Sequence, residues 1–180
     1  MSAPVLQTER LLLRPHGLED FAHVIALWAD PVVVEFISGK PSTEEESWTR
    51  LLRYIGHWQA LDYGFWVVED RATGQFLGEI GFADFHRGIE SLPKGIPEAG
   101  WVLAPHAHGR GIATEAVRRI HHWADVDKNW PETRAIFNPL HLGSQRVAQK
   151  LGYQELERSQ YKGFDTLVMR RRQSAATLEG

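Results

Sequence analysis

Residues 98–118 read Glu-Ala-Gly-Trp-Val-Leu-Ala-Pro-His-Ala-His-Gly-Arg-Gly-Ile-Ala-Thr-Glu-Ala-Val-Arg. A short apolar strand at residues 101–103 leads through a proline into a tight loop that contains Gly109 and Gly111. From Ala113 onward, apolar residues recur at intervals of three and four, which predicts an amphipathic helix. The other predicted elements are arranged around this strand–loop–helix unit.

The loop has the features of an anion site. Glycine lets a ligand approach the backbone closely, and the first N–H groups of a helix have no partners inside the helix. The helix dipole alone favours an anion there by about 0.3–2 kcal/mol. Arg110 adds a positive charge, so the site suits phosphate. Two glycines are also typical of an ordinary turn, and the third glycine of a dinucleotide fingerprint and the Gly-Lys-Ser/Thr of a P-loop are absent.

Composition narrows the class of protein. The 180 residues are 43% hydrophobic and 24% charged, as expected for one soluble domain with a sizeable core. A net charge of −3 gives no electrostatic support for binding nucleic acid. The absence of cysteine excludes disulfides and thiolate chemistry, and no apolar run approaches the length of a membrane span. We expect a cytoplasmic protein, with one domain at residues 1–172 and a disordered tail at 173–180.

Patterns along the chain predict about seven strands and about four helices. The strands fall at residues 8–15, 65–69, 76–85, 98–103, 134–137, 153–158 and 164–169, and the helices begin near residues 18, 42, 112 and 144. Ser42 is the expected N-cap of the second helix, with Glu45 completing a capping box. Asp125 is expected on the solvent side of the third helix. The irregular stretch 86–97 is expected to be a loop beside the site.

The segment 98–118 closely resembles motif A of the GNAT acetyltransferases, Gln/Arg-x-x-Gly-x-Gly/Ala, with His106 at the Gln/Arg position. The continuation Gly-Ile-Ala-Thr-Glu-Ala is similar to the Rim branch, the N-terminal acetyltransferases of ribosomal proteins and their relatives. The resemblance implies that the cofactor is acetyl-CoA. Its pyrophosphate is then held by the loop and helix start, namely His106, His108, Gly109, Arg110, Gly111, Ile112, Ala113 and Thr114. Its pantetheine arm pairs with the preceding strand, namely Trp101, Val102 and Leu103.

Residues 138–153 resemble motif B of the same family, Asn-x-x-Ser-x-Arg-Val-x-Glu-Lys-x-Gly-Phe in its Rim form. The family asparagine, usually a ligand of the CoA arm, falls on His141, which can both donate and accept a hydrogen bond. Asn138 is the alternative source of that amide contact. Ser144 matches the motif serine.

The resemblance covers residues 8 to 172 and therefore implies a fold. We expect an α/β (α+β) structure with a central, mixed, mostly antiparallel, twisted sheet of about seven strands. Helices are expected on both faces, and the fourth and fifth strands are expected to splay apart to hold CoA. Dimers are common among relatives, so a homodimer is consistent with the resemblance.

Direct acetyl transfer needs a base for the amine and an acid for the departing thiolate. Glu98 matches the glutamate of the Rim sequence Glu-Ile-Gly-Tyr-Trp-Leu and is the leading candidate for the base. An ordinary salt-bridged glutamate is an equally good interpretation, and the rival bases are Glu79, Asp84 and His86. The family tyrosine that reprotonates the thiolate is replaced by Ala148, which leaves Ser144 as the nearest hydroxyl. Ser144 equally fits a helix cap.

The resemblance implies an N-acetyltransferase that uses acetyl-CoA and a primary amine, either a protein N-terminus or a small molecule. A CoA-binding regulatory module without turnover is the main alternative, and a nucleotide-phosphate binder is a weaker one. The histidine pairs 106/108 and 121/122 lack carboxylates at a recognised ligand spacing, so no metal site is expected. Phe36, Trp48 and Trp58 fit core packing, with an aromatic wall of the acceptor pocket as the alternative.

Overall fold

The computed structural model describes residues 3–173, which form one eight-stranded sheet and five α-helices. The strands are β1 (Leu6–Gln7), β2 (Leu11–Pro15), β3 (Phe65–Asp70), β4 (Phe76–Ala83), β5 (Glu98–Leu103), β6 (Glu132–Phe137), β7 (Gln154–Tyr161) and β8 (Phe164–Arg172). The helices are α1 (Phe21–Ala29), α2 (Pro31–Val34), α3 (Glu44–Leu61), α4 (Ile112–Val126) and α5 (Leu142–Lys150). Short 3₁₀ turns precede α1 and α4.

The sheet has the order β1-β2-β3-β4-β5-β6-β8-β7, and every neighbouring pair is antiparallel except β5 and β6. The predicted mixed, mostly antiparallel sheet is therefore confirmed, with eight strands rather than about seven. The additional strand is β1, which pairs with β2 at a terminus where the sequence predicts no element. Ala3 is buried, and the Trp66 Nε1–H donates to the Pro4 carbonyl oxygen at 2.8 Å.

Helices cover both faces of the sheet, as predicted. On the first face, α4 packs through Ile120 and Trp123 against Trp66, Ile80 and Phe82 in the largest hydrophobic cluster. On the second face, here named the α3 face, residues of α1, α2 and α3 pack against the sheet. The residues of this second cluster are Val24, Leu27, Trp28, Val33, Val34, Leu51, Val67, Phe76 and Ala104.

The start of α3 is shifted by one residue from its predicted position. Thr43, rather than Ser42, is the N-cap, and its hydroxyl accepts from the Glu46 N–H while the Glu46 carboxylate accepts from the Thr43 N–H. The capping box is thus formed by Thr43 and Glu46 instead of Ser42 and Glu45. Within residues 3–173, no helix has both the length and the apolar character that a bilayer crossing needs.

Two polar contacts tie α4 to the C-terminal strands. Asp125 is 7% exposed and forms an ion pair with Arg171 at 2.6 Å, so its predicted solvent position is wrong. A pattern with apolar neighbours does not reveal a buried aspartate whose partner lies far away in sequence. The second contact is made by Gln173, whose Nε2 donates to the Asp125 carbonyl at 2.9 Å, while its backbone N–H donates to the Pro131 carbonyl at 2.9 Å. The structure thus describes the first residue of the predicted tail, Gln173, and residues 174–180 lie outside the described part.

His121 is buried in the same region. Its Nε2 lies 2.7 Å from the Tyr153 hydroxyl, which also lies 2.7 Å from the Thr133 hydroxyl, and its Nδ1 lies 2.7 Å from the Val117 carbonyl. Nδ1 is therefore the protonated nitrogen, and Nε2 accepts from the tyrosine. Burial lowers the pKa of His121 to about 4.

This pKa predicts acid sensitivity of the fold. The unfolded chain takes up the His121 proton below about pH 6.5, whereas the folded chain takes it up only near pH 4, so stability is lost as the pH falls. The 2.5-unit difference corresponds to about 3 kcal/mol of unfolding free energy between pH 7 and pH 4. Urea unfolding of the wild type and His121→Asn at several pH values measures it. His121→Asn should be less stable than the wild type at pH 7, but its free energy of unfolding should fall by about 3 kcal/mol less on acidification. Parallel plots of unfolding free energy against pH for the two proteins would contradict the lowered pKa of His121.

Candidate active site

The sheet opens between β5 and β6. The two strands pair at Glu98 and Arg134, where the Arg134 N–H donates to the Pro97 carbonyl at 2.9 Å. Beyond this point β5 continues to pair with β4 as far as Leu103, but its pairing with β6 ends. The predicted splaying of these two strands is therefore present, and it leaves one edge of β5 without a strand partner.

The register shows which backbone groups face this opening. In an antiparallel ladder, hydrogen-bonded and non-hydrogen-bonded pairs alternate. The Ala104 N–H donates to β4 at 2.9 Å, so Val102, two residues earlier, also directs its backbone groups to β4. Trp101 and Leu103 then direct theirs toward β6. Of the three residues expected to pair with pantetheine, Trp101 has both backbone groups open to a ligand. Leu103 has only its N–H open, because its carbonyl lies 2.9 Å from His108 Nε2. Val102 contributes packing on the α3 face.

The loop after β5 exposes a row of backbone donors. Gly109 and Gly111 have φ angles of 71° and 75°, in the left-handed region that favours glycine. Within residues 3–173, none of the backbone N–H groups of residues 109–114 has a hydrogen-bond acceptor, and the first helical bond of α4 is donated by Glu115. A Cβ atom at Gly109 would meet nothing within 4 Å. The predicted anion site, here named the cradle (residues 109–114), is therefore open and lined with unpaired backbone N–H groups.

A second arginine lies at this cradle. Arg10 precedes β2, and its Nη1 donates to the Arg110 carbonyl at 2.9 Å. Its Nη2 lies 3.6 Å from the position of a Cβ atom at Gly111 and 2.6 Å from a Glu115 carboxylate oxygen. Sequence reasoning missed this residue because the contact joins segments about 100 residues apart in the chain. The resemblance to the GNAT family, which begins at residue 8, was the only signal that included this residue.

The two loop histidines stabilise the cradle from behind. His106 Nε2 lies 3.0 Å from the Phe76 carbonyl, and His108 Nε2 lies 2.9 Å from the Leu103 carbonyl. The His108 N–H donates to Pro105 and is not free. Both imidazoles therefore hold the loop to the sheet, and the donors open to an anion begin at Gly109.

The far side of the opening is formed by the segment between β6 and α5. His141 is the N-cap residue of α5, and its ring stacks on Phe36 with the ring centroids 4.9 Å apart. Burial lowers the pKa of His141, as does the charge of nearby His108. Phe36, which follows α2, and His141, which precedes α5, are thus in direct contact although they are distant in sequence. The Asn138 side chain is used locally, because its Oδ1 accepts from the Leu140 N–H at 2.9 Å.

Ser144 is buried and is the third residue of α5. The N-cap of that helix is His141, so the capping interpretation of Ser144 does not hold. Its hydroxyl group is therefore not used as the helix cap, and the acid role remains a prediction.

Two buried carboxylates lie on the α3 face. Glu98 is held by Arg87 through both oxygens, at 2.8 and 2.9 Å, and burial raises its pKa despite the arginine. Glu79 has a fully buried side chain that accepts from Trp28 Nε1–H at 2.9 Å and lies 3.3 Å from His16 Nε2. Both residues remain candidates for the base, and Glu98 is the one beside the point where β5 and β6 separate.

The other two rival bases have structural roles in the loop after β4. Asp84 accepts from the Gly95 N–H at 2.9 Å and lies 3.3 Å from the His86 imidazole. The His86 side chain is 60% exposed. These contacts hold the two sides of the predicted loop together. The loop precedes β5, whereas the cradle follows β5.

Comparison with known proteins identifies the class. Residues 10–154 match the model of the acetyltransferase (GNAT) domain, so the chain belongs to the GNAT acetyltransferase family, whose members use acetyl-CoA. YkkB of Bacillus subtilis (strain 168), an uncharacterized protein, is 30% identical over 154 residues, covering 82% of this chain and 83% of YkkB.

Solved structures agree with this assignment. An acetyltransferase of Agrobacterium tumefaciens strain C58 is 27% identical with a TM-score of 0.81, covering 96% of both chains. RimL, a ribosomal L7/L12 α-N-protein acetyltransferase in complex with coenzyme A, is 11% identical with a TM-score of 0.76, covering 94% of this chain and 98% of RimL. At that identity the likeness concerns the fold. The expected relationship to Rim-type enzymes is thus confirmed at the level of architecture.

Proposed function

We propose that this acetyltransferase acts in the cytoplasm and transfers the acetyl group directly to a primary amine, either a protein N-terminal α-amine or a small-molecule amine. The observation that carries the proposal is the row of unpaired N–H groups at residues 109–114 beside the open edge of β5. A phosphate-bearing cofactor with a long arm suits both features at once. The arm reaches along the strand while the phosphates stay at the helix start.

The residues of the cradle and of β5 have separate tasks. The N–H groups at the start of α4, with the charges of Arg110 and Arg10, suit the pyrophosphate. The backbone groups of Trp101 and Leu103 suit the amides of the pantetheine arm and the charge that develops on the reacting carbonyl oxygen. Acetyl-CoA, when bound, supplies the acyl group as a reactive thioester. Asn138 or His141 is the proposed further contact to the arm from the β6 side.

Proton transfers complete the proposed reaction. The amine nitrogen forms the new bond to the acetyl carbon, the carbon–sulfur bond breaks, and Glu98 accepts the proton that the amine loses. Burial raises the pKa of Glu98, which makes the ionised carboxylate a stronger base than an exposed glutamate. Ser144 is the proposed donor of the proton that the thiolate takes up. Solvent can then restore both groups through the opening.

The free-energy cost of deprotonating the acceptor amine predicts a preference for α-amines over lysine side chains. At pH 7 an α-amine with a pKa near 8 costs about 1.4 kcal/mol to deprotonate, whereas a lysine with a pKa of 10.4 costs about 4.6 kcal/mol. A carboxylate is too weak a base to offset much of the cost of deprotonating lysine. Peptides with a free N-terminus should therefore be acetylated faster than N-terminally blocked peptides that carry a lysine. Mass spectrometry of one peptide that contains both amines reads the ratio directly, and faster ε-amine modification would contradict this expectation.

The experiment that tests the function is a screen of amines against acetyl-CoA that monitors CoA release. Acetylation of at least one class of amine above the rate of thioester hydrolysis would support the proposal. Tight acetyl-CoA binding with no acceptor-dependent release would instead support a CoA-binding regulatory module. Competition for the site by ATP as strong as that by CoA would favour a nucleotide-phosphate binder.

A further inference from the structure

A polar cavity of about 530 Å³ lies beside the first half of α3. Its walls come from the segment between α2 and α3 and from the helix itself, namely Ser38, Lys40, Ser42, Thr43, Glu45, Glu46, Thr49, Arg50 and Arg53. Cavities of this size accommodate a small molecule or a few peptide residues. None of these residues belongs to the cradle at residues 109–114.

Two arginines line this cavity with their donor groups largely unused. Arg50 packs its guanidinium 3.6 Å from the centre of the Trp28 ring and makes one long contact of 3.4 Å to the Ser42 hydroxyl. Arg53 lies 5.0 Å from the centre of the Phe85 ring. Within residues 3–173, neither forms an ion pair. Stacking on aromatic rings fixes the two cations without occupying their N–H groups.

The geometry of the two arginines suits one anionic group. Residues three apart on a helix lie on the same side, so Arg50 and Arg53 can reach the same ligand. Within residues 3–173, neither acidic residue of the cavity, Glu45 or Glu46, forms an ion pair with them, and Glu46 is engaged in the capping box with Thr43. Arginine binds carboxylates through two parallel hydrogen bonds, which gives both affinity and orientation.

The same arginines link the cavity to the reaction centre. Trp28, on which Arg50 stacks, donates to Glu79, and Glu79 lies opposite Val102 of β5 in the sheet register. Phe85, beside Arg53, also lies against Arg87, the partner of Glu98. Each arginine is therefore connected through an aromatic ring to one of the two candidate bases: Arg50 through Trp28 to Glu79, and Arg53 through Phe85 and Arg87 to Glu98.

We propose that this cavity binds the acceptor through a carboxylate, so that the amines acetylated are those that also carry an acidic group. This inference rests on the proposed acetyl transfer and specifies its substrate class. The carboxylate comes either from a small amino-acid-like molecule or from an acidic side chain near a peptide N-terminus. Polyamines without an acidic group are poor acceptors in this account, since Arg50 and Arg53 repel them.

Matched acceptors test the proposal. The peptide pair is Ala-Asp-Ala-amide and Ala-Asn-Ala-amide, and the small-molecule pair is 4-aminobutanoate and 4-aminobutanamide. In the wild type, the acidic member of at least one pair should have a KM about tenfold lower or better, and the pair that shows it identifies the source of the carboxylate. In Arg50→Gln, Arg53→Gln and the double variant the ratio of the KM values within that pair should shrink progressively toward one.

The control is Arg172→Gln, which removes the same charge from β8, three strands away from β4 in the sheet order. It should keep the full preference. Arg53 is exposed, so Arg53→Gln remains informative if Arg50→Gln unfolds in a thermal melt. A wild type without preference for acidic acceptors, or a double variant that keeps the preference, would overturn the proposal.

The experiments distinguish a failure of carboxylate binding in the cavity from a failure of the proposed acetyl transfer. If no amine is acetylated, calorimetric titration of Ala-Asp-Ala-amide into the protein still measures the cavity. Binding that is lost in the double variant and retained in Arg172→Gln would support the carboxylate site while the proposed transfer is abandoned. Equal binding of the Asp and Asn peptides would overturn the carboxylate site even if acetylation is observed.

Discussion

Gly111→Asp is expected to weaken acetyl-CoA binding by about 100-fold or more. The substitution places a carboxylate at the mouth of α4, where the unpaired N–H groups of residues 109–114 meet the phosphates. Each hydrogen bond to a charged group is worth about 1.5–3 kcal/mol, so the loss of two accounts for this factor before repulsion is counted. The new carboxylate would also lie near Arg10, which already pairs with Glu115, and would add a second negative charge beside it. Isothermal titration calorimetry measures the change in Kd.

Two control variants separate charge from backbone strain. Gly111→Asn has nearly the same shape and tolerates a positive φ, so it should cost less affinity than Gly111→Asp. Gly163, in the turn between β7 and β8, has a φ of 82° and open space around it, like Gly111, but lies far from the cradle. Gly163→Asp should leave acetyl-CoA binding intact. A folded Gly111→Asp protein with wild-type affinity would remove the cradle from the site.

Glu98→Gln is expected to lower kcat by about 10²–10⁴-fold, the usual worth of general-base assistance. Glutamine keeps the shape of the side chain and removes its basicity. A base works only when deprotonated, so wild-type kcat should fall as the pH drops through the pKa of Glu98, which burial raises above its usual range. The variant should lose this acidic limb and retain acetyl-CoA affinity. Steady-state rates from pH 5 to pH 9 measure it.

The ion pair with Arg87 requires its own control. If Glu98 merely anchors the loop after β4, Arg87→Met should reduce kcat as much as Glu98→Gln, and both should be equally destabilised. If Glu98 is the base, Arg87→Met should keep most of kcat. Glu79→Gln tests the rival carboxylate. If this variant, and not Glu98→Gln, loses the acidic limb of the pH profile of kcat, Glu79 is the base.

The elements around residues 98–118 were predictable because their signals are local. The period of apolar residues fixes α4, and the glycines fix the loop, whatever the rest of the chain does. The resemblance to motifs A and B then supplied the sheet and its opening, which residue patterns alone do not specify. The structure confirms both, and the family match over residues 10–154 agrees with them.

The contacts that were not predicted from the sequence join segments that are distant in the chain. Arg10 reaches the cradle from the turn between β1 and β2, and Asp125 is buried against Arg171, which lies 46 positions away in the sequence. The bidentate pair of Arg87 with Glu98 likewise depends on how the loop folds back. A charged residue in an apolar pattern gives no sign of such a partner, because the partner is brought near only by the tertiary fold.

The most direct test of acetyl-CoA binding at the opening of β5 and β6 is NMR of ¹⁵N-labelled protein titrated with acetyl-CoA. Amide signals of residues 109–114, Trp101 and Leu103 should shift most, because their N–H groups would change from solvent to cofactor as partner. Val102, bonded to β4, should shift less, and Gly111→Asp should abolish the pattern. Large shifts confined to the cavity beside α3, with residues 109–114 unchanged, would contradict the account.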